Sequence, residues 1–328
     1  MVLAQIGGFI ASLGLLAWCV WLVASDQKKL EQAERILKAP PLEIALVIGL
    51  SMATVVLSGL AFWALGRPLK TVGAAECVAV NGVCSLLSYL PMKASLLFRF
   101  LYHRRVSDLG WLTMTAWFGA VAALIVLSLA PGVLATIAFK DVNAAWLGVT
   151  LGGLVAVAVL LPWGAGAFAG DVGMARFRAI AAWTRVGFVL PLVNSAFFGK
   201  LQRGLALLAD RRNVTLAIVI RAVDMGVQAA RFYVVARIIE VDVTPAQCVI
   251  AGTAYFFIQA TSPAGVAGPR EGGLIAILGI GFAPVVVAVT AGEAAANLIL
   301  GLAGAAWLRL DRVFFGGGPA SPTPASKT

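Results

Sequence analysis

Apolar stretches, most of them about 20 residues long and so able to span a bilayer's hydrocarbon core, recur along the whole chain. The clearest cover 6–24, 42–65, 111–130, 145–169, 214–239 and 248–262. They are followed by 272–308, a run long enough for two short spans with a turn near the GFAP sequence at 281–284. This pattern predicts an all-α, polytopic membrane bundle of about eight or nine membrane segments, two of them broken or re-entrant. Stretch 6–24 has no basic residues before it and is long enough to span, so it reads as a retained first helix rather than a signal peptide.

Segment 73–102 fits less simply. It is apolar, yet it holds Glu76, Asn81 and Pro91 and then turns basic. Such a segment either crosses or enters and returns as a re-entrant hairpin, which needs cover from protein or a water-filled cavity. Lys/Arg counts set the topology. Stretches 93–110 and 170–213 are basic, whereas 131–144 carries only Lys140 and 240–247 no basic residue. The first pair is expected in the cytoplasm and the second outside. Loop 25–41, with Lys28, Lys29, Arg35 and Lys38, lies inside if 73–92 crosses fully and outside if it is re-entrant. Within 195–209, Phe198, Leu201, Leu205 and Leu208 form an apolar stripe that predicts an amphipathic helix at the cytoplasmic surface. The pairs Gly148/Gly152 and Gly166/Gly170 predict close helix packing around 145–170. Residues 1–315 read as one integral membrane domain, and the Gly/Pro/Ser-rich 316–328 as a disordered tail.

Composition agrees with this frame and removes alternatives. Of 328 residues, 61% are hydrophobic and 12% charged. Soluble domains carry about 25% charged residues. The net charge of +10 sits mostly in the loops between apolar runs, so it speaks for membrane orientation and against nucleic-acid binding. Cys19, Cys77, Cys84 and Cys248 lie inside apolar runs without CxxC spacing, and the single histidine, His103, has no nearby ligand-type residue. No metal site, cofactor motif, catalytic triad or nucleotide-binding loop is visible, so the pattern speaks against an enzyme.

The charges inside the apolar part carry the functional reading. SPAGVAGPREGG (262–273) interrupts an apolar run with two prolines, several glycines and an Arg270-Glu271 pair. Pro269 suits the first position of a new helix, and Glu271 suits its positive end. Arg270 is misplaced there unless an anion is present, and Glu271, its i+1 neighbour, is expected to point elsewhere. A helix break at Gly265, Gly268 and Pro269, free backbone N–H groups and an arginine together describe a site for an anionic group. SYLPMKASLLFRF (88–100) repeats the theme, with a break at Pro91, then Lys93 and Arg99; Asn81 precedes Pro91 by ten residues, as Gln259 precedes Pro269. In 219–237, Arg221, Asp224, Gln228 and Arg231 share one helical face, either as a structural ion pair or as the polar wall of a substrate path. Glu76 and Glu293 are candidate counter-charges for Arg270.

These two boxes resemble the lysylphosphatidylglycerol synthase transmembrane region family, a flippase-like membrane domain. Its P-G-G-x-G-x-R-E box corresponds to Gly265, Gly268, Arg270 and Glu271. Its N and L-P-x-R-x-G-E-x-x-R elements correspond to Asn81, Leu90, Pro91, Lys93 and Arg99, with Ser95-Leu96 where the family has G-E. The resemblance implies movement of an anionic-headgroup lipid, or a lipid-linked intermediate, between leaflets of a bacterial inner membrane. The family's soluble aminoacyl-transfer domain has no counterpart after residue 315, so synthesis is not implied. The substrate-binding set would be Asn81, Lys93, Arg99, Arg221, Asp224, Arg231, Arg270 and Glu271. The competing readings are a membrane-embedded enzyme acting on lipid phosphates and a non-transporting partner of a lipid-modifying enzyme.

Overall fold

The computed structural model describes residues 2–69, 71–90, 94–139, 141–184, 191, 193–261 and 268–314. Pro91, Lys93, Gly265 and the tail 316–328 lie outside the described residues. Those described form an all-α bundle: α1 (Val2–Ala24), α2 (Gln27–Lys38), α3 (Pro41–Gly66), α4 (Ala74–Leu87), α5 (Ala94–Val106), α6 (Trp111–Phe139), α7 (Ala144–Phe168), α8 (Gly170–Thr184), α9 (Ala196–Ala209), α10 (Arg211–Ile238), α11 (Pro245–Thr261), α12 (Pro269–Leu278), α13 (Ala283–Trp307) and α14 (Leu310–Phe314). Six of them, α1, α3, α6, α7, α10 and α13, are long and apolar enough to cross a bilayer, and the chain is a multi-pass membrane protein.

Two helix pairs are too short to cross. With 14 and 13 residues, α4 and α5 reach only about 20 Å each, against a hydrocarbon core of about 30 Å. Likewise α11 has 17 residues and α12 only 10. The 272–308 run therefore does not divide into two spans as its length suggests. Gly279, at φ +91°, turns the chain after a half-helix, and α13 alone makes the crossing.

Side-chain bonds between the loops place each pair relative to the rest. Arg67 donates to Asn213 at 3.4 Å, Ser107 donates to Glu76 at 3.3 Å, and Arg105 donates to the Val313 carbonyl at 3.1 Å. The end of α3, both outer ends of the α4/α5 pair, the start of α10 and the end of the chain thus share one face. On the opposite face Arg35 pairs with Glu240, joining α2 to the α10–α11 turn. There Val241, Leu278, Phe282 and Val285 enter a single apolar cluster with Cys248 and Ala251. So α4/α5 enters from one face and returns to it, while α11/α12 does the same from the other. The described residues of segment 73–92 belong to a re-entrant hairpin, and α2 lies on the face opposite the end of α5 and the start of α10. The α4/α5 face is thus the one for which the positive-inside rule predicts a cytoplasmic position.

The bundle centre is α10 packed on α3, with α4 wedged between α3 and α13. Glycine permits this closeness, but not where the spacing predicted it. A Cβ on Gly82 would sit 2.7 Å from the Leu300 carbonyl oxygen, and one on Gly304 2.6 Å from that of Ala79, so the α4 and α13 backbones nearly touch. Gly148 and Gly152 face open space, on a helix whose Leu151, Val155, Val159 and Trp163 are exposed. A small-xxx-small pattern marks a packing face only where another helix is available to meet it, and that side of α7 is turned to lipid. Pro131 does not end α6 as the sequence suggests. The helix continues to Phe139 with the proline ring against Gly153 of α7, as neighbouring helices allow in a membrane.

The polar connections also fold. Asp26 caps α2 by accepting the Lys28 and Lys29 N–H groups, and Ala33 and Ile36 rest on the apolar cluster. The amphipathic helix α9 packs on α6 and α7. Leu207 and Leu208 are buried, and Gln202 donates to the Phe168 and Gly170 carbonyls at 2.6 and 2.9 Å.

Single cysteines introduced at Ser107 and Arg212 of a cysteine-free variant should react with an impermeant maleimide from the same side of oriented vesicles. Cysteines at Glu31 and Asp242 should react from the other side. Labelling of positions 31 and 107 from one side would contradict the two opposed hairpins.

Candidate functional site

An isolated arginine at mid-bilayer costs about 2.5–3.5 kcal/mol on insertion scales, so each buried arginine here needs a partner. Arg270 and Arg231 are fully buried and share one, Glu293 of α13. Arg270 Nη1 donates to Glu293 Oε1 at 2.6 Å, and Arg231 Nη1 donates to Oε2 at 3.2 Å. The Tyr255 hydroxyl donates to Oε2 at 2.8 Å, and both guanidiniums lie over its ring, 4.5 and 5.3 Å from the centroid. Gln228 accepts from Arg231 Nη2 at 2.7 Å. One carboxylate therefore joins α10, α11, α12 and α13.

The start of α12 departs from expectation in an informative way. Glu271 does partner Arg270, accepting its Nε–H at 2.6 Å. Neighbouring helical residues diverge in the helix interior, but here Glu271 bends back over the first turn. Its Oε2 accepts the Gly268 N–H at 2.6 Å, in the manner of a capping box. Thr290 completes the contact by donating to Oε1 at 3.0 Å. The anion site read from the sequence is thus occupied by the chain's own carboxylate. Gly268 holds this geometry at φ +99°, with the Ser12 carbonyl oxygen of α1 pressed where a Cβ would be.

Two further cations lie apart from this cluster. Arg221 is paired with Asp224 at 3.1 Å and donates to Ser58 at 2.9 Å, with its guanidinium over Phe256. Arg99 stacks on Phe62, 3.8 Å from the ring centroid, and donates to Asn81 Oδ1 at 2.6 Å, while Asn81 donates to the Val55 carbonyl at 2.7 Å. The sequence-predicted pair Asn81 and Arg99 is therefore in contact. Glu76 is not a counter-charge to Arg270; it sits by Gly73, Ser107 and His103, where α4 begins. Among the described residues the buried guanidiniums are Arg99, Arg221, Arg231 and Arg270, against Asp224, Glu271 and Glu293, a balance of 4 − 3 = +1.

Beside these groups lies a cavity of about 200 Å³, walled by α3, α4, α10 and α13 and touched by Ile125 of α6 and Phe256 of α11. Asn81, Arg221, Gln228 and Glu293 line it; of the other residues singled out in the sequence, Arg99, Asp224, Arg231, Arg270 and Glu271 are not among its lining. Sequence reasoning missed the rest of the polar wall: Thr54 and Ser58 on α3, Ser85 and Ser88 on the first hairpin, and Asn297 on α13. Hydroxyl residues in apolar runs are common in membrane helices and satisfy themselves on their own backbone, so only the tertiary packing separates these from ordinary ones. Asn297 also donates to the Tyr89 hydroxyl at 3.1 Å, next to the tip of the first hairpin. A described residue of each hairpin therefore meets one stretch of α13, Arg270 at Glu293 and Tyr89 at Asn297.

No protein-family model matches the chain, and no match is found among curated proteins or solved structures.

Removing the shared carboxylate leaves Arg231 uncompensated and Arg270 with Glu271 alone, and a broken buried pair costs about 3–5 kcal/mol. Glu293→Gln should therefore lower the thermal unfolding midpoint in detergent markedly, whereas Glu76→Gln, at the bundle edge, should barely shift it. Gly268→Ala should destabilise by at least about 1–3 kcal/mol from backbone strain alone, and Gly148→Ala, facing open space, by less than about 0.5 kcal/mol.

Proposed function

We propose that this protein moves a lipid with an anionic headgroup between the two leaflets of a bacterial inner membrane. The observation that carries the reading is the pair of short-helix hairpins entering from opposite faces, whose described residues Tyr89 and Arg270 meet one charged, cavity-bearing stretch of α13. Broken helices meeting near the middle of a membrane, with polar groups gathered at the breaks, are the arrangement by which transporters hold a polar substrate away from both surfaces. The resemblance of the Arg270-Glu271 and Asn81–Arg99 boxes to the lysylphosphatidylglycerol synthase transmembrane region supports the same class of function.

The roles divide by charge. The Arg231–Glu293–Arg270–Glu271 cluster is internally neutral and buried, with only Glu293 reaching the cavity, so it acts as a clasp that fixes the second hairpin to α10 and α13. The surplus positive charge belongs to the Arg99 and Arg221 side, where a phosphate would be received beside the cavity. A lipid headgroup would pass along this polar wall while its acyl chains stayed in the bilayer. Release of the clasp would let the second hairpin move against α13.

The test is leaflet exchange in liposomes carrying headgroup-labelled lipid, followed by quenching of the outer label. Wild type should accelerate exchange of an anionic lipid, and Arg270→Lys should reduce it about tenfold or more. A single ammonium cannot hold both Glu271 and Glu293 in the geometry of the guanidinium fork. Wild-type exchange by the lysine variant would sink the clasp, and no exchange by wild type with any lipid would sink the translocator reading.

A further inference from the structure

Resting on that reading, the hydrogen-bonding demands of the cavity narrow the headgroup. Arg221, 2% exposed, lines the cavity; its Nη1 is paired with Asp224 at 3.1 Å and its Nη2 donates to Ser58, but its Nε makes no hydrogen bond among the described residues. Asn297, 3% exposed, lines it too, and its Oδ1 accepts no hydrogen bond there. Arg221 therefore calls for an acceptor, and Asn297 for a donor. A phosphodiester supplies acceptors only, so it meets one demand and not the other. The donor must come from the rest of the headgroup, as an O–H or an ammonium.

Charge decides between these two. An ammonium would enter a region whose buried groups already carry a surplus of one positive charge, by the balance of four guanidiniums against three carboxylates. The carboxylate on the cavity wall, Glu293, is engaged by Arg270, Arg231 and Tyr255. Hydroxyls meet no such obstacle. They also suit the remaining wall, where Ser58, Ser85, Asn81 and Gln228 offer hydroxyl and amide groups beside the Phe62 and Phe256 rings.

We infer that the cavity between α3, α4, α10 and α13 is a headgroup site for a phosphate ester bearing a hydroxyl-rich group, a polyol or sugar, with phosphate at Arg221 and hydroxyls toward Ser85 and Asn297. The ligand is a polyol phosphate, carried by a lipid in the proposed function and available also as a free ester.

The experiment compares leaflet exchange of four lipids with identical acyl chains: phosphatidylglycerol, phosphatidylinositol, phosphatidylserine and phosphatidic acid. Thermal shift of the detergent-solubilised protein with glycerol 1-phosphate and with inorganic phosphate accompanies it. The two polyol lipids should exchange fastest. Ser85→Ala, whose hydroxyl makes no hydrogen bond among the described residues that would hold the fold, should lower their advantage over phosphatidic acid about fivefold, the loss of one ordinary hydrogen bond. Its unfolding midpoint should stay at the wild-type value. Equal exchange of all four lipids, or fastest exchange of phosphatidylserine, would overturn the polyol site and leave the translocator reading standing. If no lipid exchanges, the translocator reading fails and the thermal shift decides the site. A larger shift with glycerol 1-phosphate than with inorganic phosphate, reduced in Ser85→Ala, would assign it to a free polyol phosphate. No difference between the two would overturn it.

Discussion

The Glu293 carboxylate is the point on which the interior of this protein depends. Two arginines, from α10 and from the start of a broken helix, end on its two oxygens inside an apolar bundle. Lipid cannot dissolve unpaired charge, so the position of α12 follows from that of α13. The same constraint explains why the polar residues collect. Once two guanidiniums are committed to one carboxylate, Tyr255, Gln228, Glu271 and Thr290 are drawn in to fill the remaining hydrogen-bonding capacity.

The backbone obeys a parallel rule. A helix broken inside a membrane exposes N–H groups that nothing in lipid can satisfy. At the break before α12 the chain supplies its own acceptor, the Glu271 carboxylate over Gly268 N–H. This turns what would be an open helix N-terminus into a closed cap. The two hairpins then differ in character. The second is held by charge, whereas the first is held by backbone closeness at Gly82 and Gly304 and by the Arg99–Asn81 contact.

Membrane class and helical architecture are legible in the sequence because they depend on local composition: runs of about 20 apolar residues admit few alternatives in a bilayer. The breaks near Pro91 and before Pro269, the shared face of Arg221, Asp224, Gln228 and Arg231, and the candidacy of Glu293 are legible for the same reason, since prolines and intramembrane charges are rare and expensive. Pairing is a different matter. Glu76 and Glu293 look alike along the chain, and only packing sends one to Ser107 and the other to Arg270. Glycine spacing drew attention to Gly148 and Gly152, but closeness needs a second helix, which α13 provides to Gly82 and no helix provides to Gly148.

The sequence by itself thus determined that the chain spans a membrane, where its helices break and which charges must be reconciled inside it. Only the tertiary structure decided that segment 73–92 returns to its own face, that Glu271 fills the site Arg270 seemed to offer, and that Ser58, Ser85 and Asn297 share a cavity with Arg221. The physical reason is range. Hydrophobicity and helix-breaking act on neighbours along the chain, whereas hydrogen bonds and ion pairs select partners in space, and in a low-dielectric interior that selection is too strong to be left open.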